Sequence, residues 1–285
     1  MQNNFFNVLL DPSFPFLRNA LIAGVLSSFL FGTLGTVVTV KRISGLAGAI
    51  SHAVLGGIGM ALYLSATNIV TWMSPMLGAM LFALIAAVTI GFISFRMKQR
   101  EDTVINAIWA IGMSIGVLFM ARTPGYTDPS TYLFGNILFI SFKDLIMLAV
   151  LDLIVAALII RFYPQIMISA FDEDFARARG IPTKAIFLII LAITAISVVL
   201  LQTFVGIIML IAMLTLPAGT ASYLAKSLSG MMILASLFSL FFSTAGIFLS
   251  WVFDLPAGAV VVVFAGLVFV FAGLIRMLLG RLHRV

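Results

Sequence analysis

Residues 45–59 read GLAGAISHAVLGGIG, an apolar run with a histidine at its centre and glycines on either side. At helical spacing Gly45, Gly48, His52, Gly56 and Gly59 fall three or four residues apart and share one face. Small residues on such a stripe let a neighbouring helix approach closely. An imidazole in the middle of a membrane span faces protein or a water-filled cavity, not lipid. The spacing leaves two roles open for His52: a hydrogen bond across a helix interface, or a group on a transport path. The second histidine, His283, lies in the basic tail.

The rest of the chain places this run in a membrane. Of 285 residues, 62% are hydrophobic and 9% charged, against roughly 25% charged in a soluble domain. Apolar runs of about 20 residues, the length that crosses a bilayer, recur throughout. The fold class is an all-α polytopic membrane protein, read as one membrane domain over residues 1–285. The net charge of +6 does not point to nucleic acid, because the basic residues sit in short loops and the tail, as retention signals do. There are no cysteines, which excludes disulfides, thiolate zinc sites and thiol catalysis. The first residues lack a basic segment of the signal-peptide kind.

Apolar segments fall at about 16–40, 45–65, 69–95, 103–121, 143–163, 184–205, 206–225, 229–251 and 255–279. Basic residues mark every second connection: Lys41 and Arg42; Arg96, Lys98 and Arg100; Arg177, Arg179 and Lys184; Lys226; and Arg276, Arg281 and Arg284. Nine crossings, with the N-terminus outside and the C-terminus inside, produce this alternation. Eight crossings are the alternative, since 45–65 is rich in glycine and 206–225 contains Pro217.

Two further features stand out inside the spans. Asp152 is a carboxylate deep in an apolar segment, where it must face the bundle interior. It is either functional or hydrogen-bonded to a helix neighbour such as Asn106. Pro217 removes a backbone hydrogen bond and is expected to kink or break its helix, a feature transporters use at binding and gating elements. Outside the spans, the loop 122–142 contains YLFGNILF, too short to cross and read as an outer re-entrant or interfacial element. The stretch ISAFDEDFARARGIP, in the connection at about 166–183, has acids before basic residues. That order predicts a short cytoplasmic helix, with Asp172 and Asp174 near its start, Arg177 near its end and Gly180 stopping it.

Several chemistries find no motif. There is no phosphate-binding loop of the GxxxxGK[ST] type, so the chain itself is not expected to hydrolyse ATP. HExxH and GxSxG are also missing. One span histidine without cysteine cannot close a zinc site, so any metal contact here is partial and transient. A transport path requires that, because a pathway ligand must release what it binds.

Six stretches in order then carry a resemblance: GTLGTVVTVKRIS, AISHAVLGGIGMAL, DPSTYLFGNIL, AFDEDFARARGIP, LQTFVGIIMLIAMLTLPAGTAS and FDLPAGAVVVV. Together they resemble the permease subunits of the ABC-3 family, membrane components of bacterial importers for zinc, manganese and iron. The resemblance implies a type II importer fold in the cytoplasmic (inner) membrane and a second permease copy. It also implies a cytoplasmic ABC ATPase dimer that holds the ATP, and an extracytoplasmic metal-binding protein. No tightly bound cofactor is implied; the metal is cargo. The region with Phe171, Asp172, Asp174, Arg177 and Gly180 would couple to the ATPase. His52 matches the family's pathway histidine, with Gly48, Gly56 and Pro217 as packing and gating positions. The family often has Asp one turn before that histidine, where this chain has Gly48; Asp152 or the partner copy's histidine are the candidates to supply the charge. A histidine without its carboxylate leans towards zinc over manganese. The alternatives are a permease for an iron chelate or cobalamin-like ligand, and, from another class, an ATP-independent secondary transporter.

Overall fold

The computed structural model describes residues 15–96, 101–125, 132, 133, 135 and 140–282. Among them the regular elements are helices: α1 (Pro15–Val40), α2 (Ser44–Ala66), α3 (Pro75–Arg96), α4 (Glu101–Arg122), α5 (Phe142–Phe171), α6 (Glu173–Ala178), α7 (Thr183–Ser222), α8 (Leu228–Phe253) and α9 (Ala257–Leu282). All except the short α6 are long and apolar enough to cross a membrane, which makes eight such helices among the described residues. An all-helical chain is what the bilayer demands, since an α-helix satisfies its own backbone polar groups.

The expected segments 184–205 and 206–225 fall within one element, the 40-residue α7. A straight helix of that length would run about 60 Å, roughly twice the hydrocarbon core. It is not straight. Gly206 has φ 77° and ψ 164°, outside the helical region, a conformation that glycine adopts without the Cβ penalty. The break falls at the expected boundary between 184–205 and 206–225. Pro217 lies inside the helix, where it gives up one backbone hydrogen bond, a loss that membrane helices tolerate.

The helices group into two compact units. One contains α1, the first part of α5, and the chain from residue 204 onwards; the other contains α2 to α4, the end of α5, α6, and α7 up to residue 203.

In the first unit α1 and α8 are antiparallel: Gly32 sits on the backbone of Ser236, and Gly24 faces the side chain of Ser243. The part of α7 after the break runs alongside α1. Gly35 meets the backbone of Leu214, while Ala218 and Ala221 pack near Val40 with Met231 and Ala235. Helix α9 follows the same direction, with Gly219 against Phe269 and Gly273 against Tyr223. The start of α5 is held near the start of α1, where Asn19 Nδ2 donates to the Ile140 carbonyl at 3.2 Å. Lys226 therefore follows α7 at the end where α1 finishes, and Arg276 donates to the Ser222 carbonyl at that end too.

In the second unit α2 is the most enclosed helix. Its glycines face both neighbours: Gly57 meets Gly78 of α3, while Gly56 and Gly59 meet Gly112 and Gly116 of α4. From the paired positions, α2 and α4 run parallel and α3 runs against them. The first part of α7 is antiparallel to α3: Gly91 faces Leu188, and the rings of Phe95 and Phe187 lie 5.6 Å apart.

Candidate metal path and coupling helix

The stripe of α2 faces α4 along its whole length. A methyl group built at Gly45 would lie 3.7 Å from Ile105 Cγ2, and one at Gly48 3.2 Å from Trp109 Cζ3. At Gly56 it would lie 2.8 Å from the Gly112 carbonyl oxygen, and at Gly59 2.9 Å from Gly116 Cα. The opposing face is a matching ladder of Ile105, Trp109, Gly112 and Gly116, spaced four, three and four residues apart. Backbone meets backbone along the α4 glycines: a methyl group at Gly112 would lie 2.6 Å from Ala53 Cα, and one at Gly116 2.6 Å from the Leu55 carbonyl oxygen. Nearer the start of α2 the neighbours are side chains, Ile105 at Gly45 and Trp109 at Gly48.

His52 lies between the Trp109 contact at Gly48 and the backbone contact at Ala53. It is 8% exposed, and its Nδ1 has no hydrogen-bond partner among the described residues. Its ring stacks on Trp109, with centroids 4.4 Å apart and planes 17° from parallel. The expected interface hydrogen bond is thus not made at Nδ1; an aromatic stack holds the ring instead. The Trp109 contact was not anticipated, although Trp109 stands three residues before Gly112, on the face that carries Gly116.

Asp152 lies in the first unit and His52 in the second. The Asp152 Oδ1 atom is buried without a hydrogen-bond partner among the described residues, so at that atom no neighbour such as Asn106 satisfies it. Among the described residues no three histidine, aspartate or glutamate side chains converge on a point that could hold a metal ion.

The predicted cytoplasmic helix is α6. Asp172 caps it, accepting from the Phe175 backbone N–H at 2.8 Å, which satisfies one of the orphan donors at a helix start. Within it Arg177 pairs with Glu173, lies 3.8 Å from Asp174, and donates from Nε to Thr183 Oγ1 at 3.3 Å. Gly180, with φ 75°, turns the chain away after the helix, and its N–H bonds to the Arg177 carbonyl at 2.9 Å. Phe171 is 70% exposed and Phe175 47%, with the Arg179 guanidinium 5.2 Å from the Phe175 ring. These two exposed aromatic rings, one at the end of α5 and one on α6, suit docking of a protein partner. Thr183 was not anticipated; it ties the first residue of α7 to this network.

A second tie joins α6 to the helix that carries His52. Lys41, the first residue after α1 in the turn leading into α2, donates from Nζ to the Ser169 carbonyl at 3.3 Å. Burial holds its ammonium below the usual lysine range, and the Glu173 carboxylate opposes that shift. The start of α2 and the start of α6 thus share an anchorage at the end of α5.

The break in α7 also has a partner in its own unit. Gly135, with φ 60°, lies so close that a methyl group there would be 2.7 Å from Gly206 Cα. Most of the YLFGNILF stretch lies outside the described residues, so the expected outer element is represented by Gly135 and its immediate contacts.

With this geometry in place, comparison with known proteins places the chain. Residues 13–276 match the family model described as the ABC 3 transport family. A protein of Listeria monocytogenes named as a manganese transport system membrane protein is 34% identical, over 90% of this chain and 89% of its own length. A probable metal transport system membrane protein of Chlamydia muridarum is 33% identical, over 90% of this chain and 87% of its own. The solved structure of PsaBC from Streptococcus pneumoniae in complex with Fab superposes with a TM-score of 0.82 at 30% identity, covering 95% of both chains.

Proposed function

Since the chain belongs to the ABC-3 transport family, we propose that it is the membrane-spanning permease of an importer for a divalent first-row metal ion. The observation that carries this reading is His52: a buried imidazole inside a membrane helix, with no hydrogen-bond partner at Nδ1 among the described residues and its ring stacked on Trp109 of α4. The chain works by alternating access, in which a path opens to one side of the membrane and then to the other. Energy comes from a cytoplasmic ATPase dimer that docks on Phe171, Phe175 and the polar face of α6. A second permease copy completes the path, and an extracytoplasmic binding protein delivers the ion.

Manganese is the leading cargo, because the Listeria relative carries that name. The earlier lean towards zinc rested on the imidazole without its carboxylate, a preference of ligand type alone. The host membrane is the bacterial cytoplasmic membrane.

The helix directions support nine crossings. In the first unit α1, the later part of α7 and α9 all run one way, so the starts and ends of these helices lie at opposite ends. The α7 break at Gly206 then supplies the extra crossing. Lys41, Lys226 and Arg276 stand at the cytoplasmic end, which leaves the N-terminus outside and the C-terminus inside.

The test is uptake by the assembled importer in proteoliposomes, comparing wild type, His52→Ala and Arg177→Ala. The reading expects loss of uptake in both. ATP hydrolysis should persist in each, no longer coupled to transport in Arg177→Ala. Wild-type uptake by His52→Ala would reduce the histidine to a packing residue.

A further inference from the structure

Metal-binding histidines ordinarily donate their second ring N–H to a carboxylate, carbonyl or water, which fixes ring orientation. Among the described residues His52 has no such partner at Nδ1, and rotation about the terminal bond of a histidine side chain is broad. Its plane is instead held by the indole of Trp109, 4.4 Å away and 17° from parallel. Gly48 makes this contact available, since even a methyl group there would press to 3.2 Å from Trp109 Cζ3. The three residues form one device: glycine admits the indole, and the indole orients the imidazole.

We infer that Trp109 is the positioning residue for His52 and sets the affinity with which the path takes its metal ion. This rests on the reading of His52 as a pathway ligand. The stack acts in two ways. It removes rotational freedom from the imidazole before the ion arrives, so less order is lost on binding. It also presents an indole face to a ring that takes on part of the ion's positive charge on coordination; full cation–π contacts correspond to roughly 3- to 30-fold in affinity. Gly48 belongs to the device because its missing side chain is what lets the ring sit there.

The test uses the assembled importer with manganese and zinc ions as the probes. Trp109→Leu should raise the KM for the ion by about 3- to 30-fold, more than it lowers kcat, and Trp109→Phe should fall between Leu and wild type. Gly48→Ala should raise KM in the same direction by displacing the indole. Combined with Trp109→Leu it should add little, because the two substitutions break one contact. A spectroscopic readout stands apart from transport. The chain has three tryptophans, so the full-length Trp72→Phe/Trp251→Phe chain reports Trp109 alone. Its emission should change on adding manganese or zinc, and His52→Ala should abolish the change. A KM within twofold of wild type in Trp109→Leu, additive effects of Gly48→Ala and Trp109→Leu, or emission indifferent to His52 would each overturn the inference. If His52→Ala itself takes up metal normally, the underlying pathway reading fails instead, and the two failures are told apart.

Discussion

Gly59→Ala tests the packing on which the site depends. The added methyl would meet Gly116 Cα at 2.9 Å and its carbonyl carbon at 3.0 Å, against about 3.5–4.0 Å for relaxed carbon contacts. The obstacle is backbone, which has no rotamer to yield, so α2 and α4 must part by roughly 1 Å. A gap of that size forfeits a quarter to a half of each dispersion contact across the seam. Overpacking of this kind costs about 1–3 kcal/mol. At about 2–4 °C per kcal/mol for a chain of this size, the apparent melting temperature in detergent should fall by roughly 2–12 °C. Gly266→Ala is the control: a methyl there has nothing within 4 Å, and alanine is the better helix former by about 1 kcal/mol. The assay is thermal unfolding of the purified chain, followed by size-exclusion chromatography or intrinsic fluorescence. Gly59→Ala melting at or above wild type while Gly266→Ala behaves normally would refute the close α2–α4 contact.

Three other outcomes are expected. Asp172→Ala removes the cap of α6 at about 1 kcal/mol, roughly a fivefold loss in the helix population. ATP turnover should then respond less to transported metal than in wild type, measured as metal-stimulated hydrolysis. Gly206→Ala puts a Cβ on a residue at φ 77°, a strain of about 1–3 kcal/mol. Uptake should fall more than expression, as read by transport per milligram of folded protein. Lys41→Met removes an ammonium whose pKa burial depresses, with Glu173 opposing. The unfolded chain binds more protons than the folded one between the depressed value and the ordinary lysine value of about 10.4, so stability there rises with pH. Wild type should therefore gain thermal stability relative to Lys41→Met as pH climbs through that window, and parallel curves would contradict the assignment.

The sequence made some of this legible and left other parts out of reach. The α2 stripe was visible because helical spacing alone places Gly45, Gly48, His52, Gly56 and Gly59 on one face, whichever helix they meet. The start of α6 was visible because an N-cap is a local bond, set by Asp172 and the residue three along. Trp109 was not, since which tryptophan meets which histidine depends on pairing α2 with α4, a tertiary fact. The break in α7 was legible as the boundary between the apolar segments 184–205 and 206–225. It fell at Gly206, where left-handed backbone is needed and only glycine adopts it freely. Asp152 was recognisable as an expensive carboxylate, but its surroundings depend on packing that spacing does not encode.

The central claim is that ATP drives a metal ion through a path in which His52 takes part. The most direct measurement is uptake of radioactive manganese into proteoliposomes holding the chain, its ATPase and its binding protein, with zinc and ferrous iron as competitors and His52→Ala alongside. The account predicts ATP-dependent uptake that divalent competitors suppress and His52→Ala abolishes. ATP-dependent uptake of equal rate in wild type and His52→Ala, or no metal uptake with the ATPase correctly docked, would contradict it.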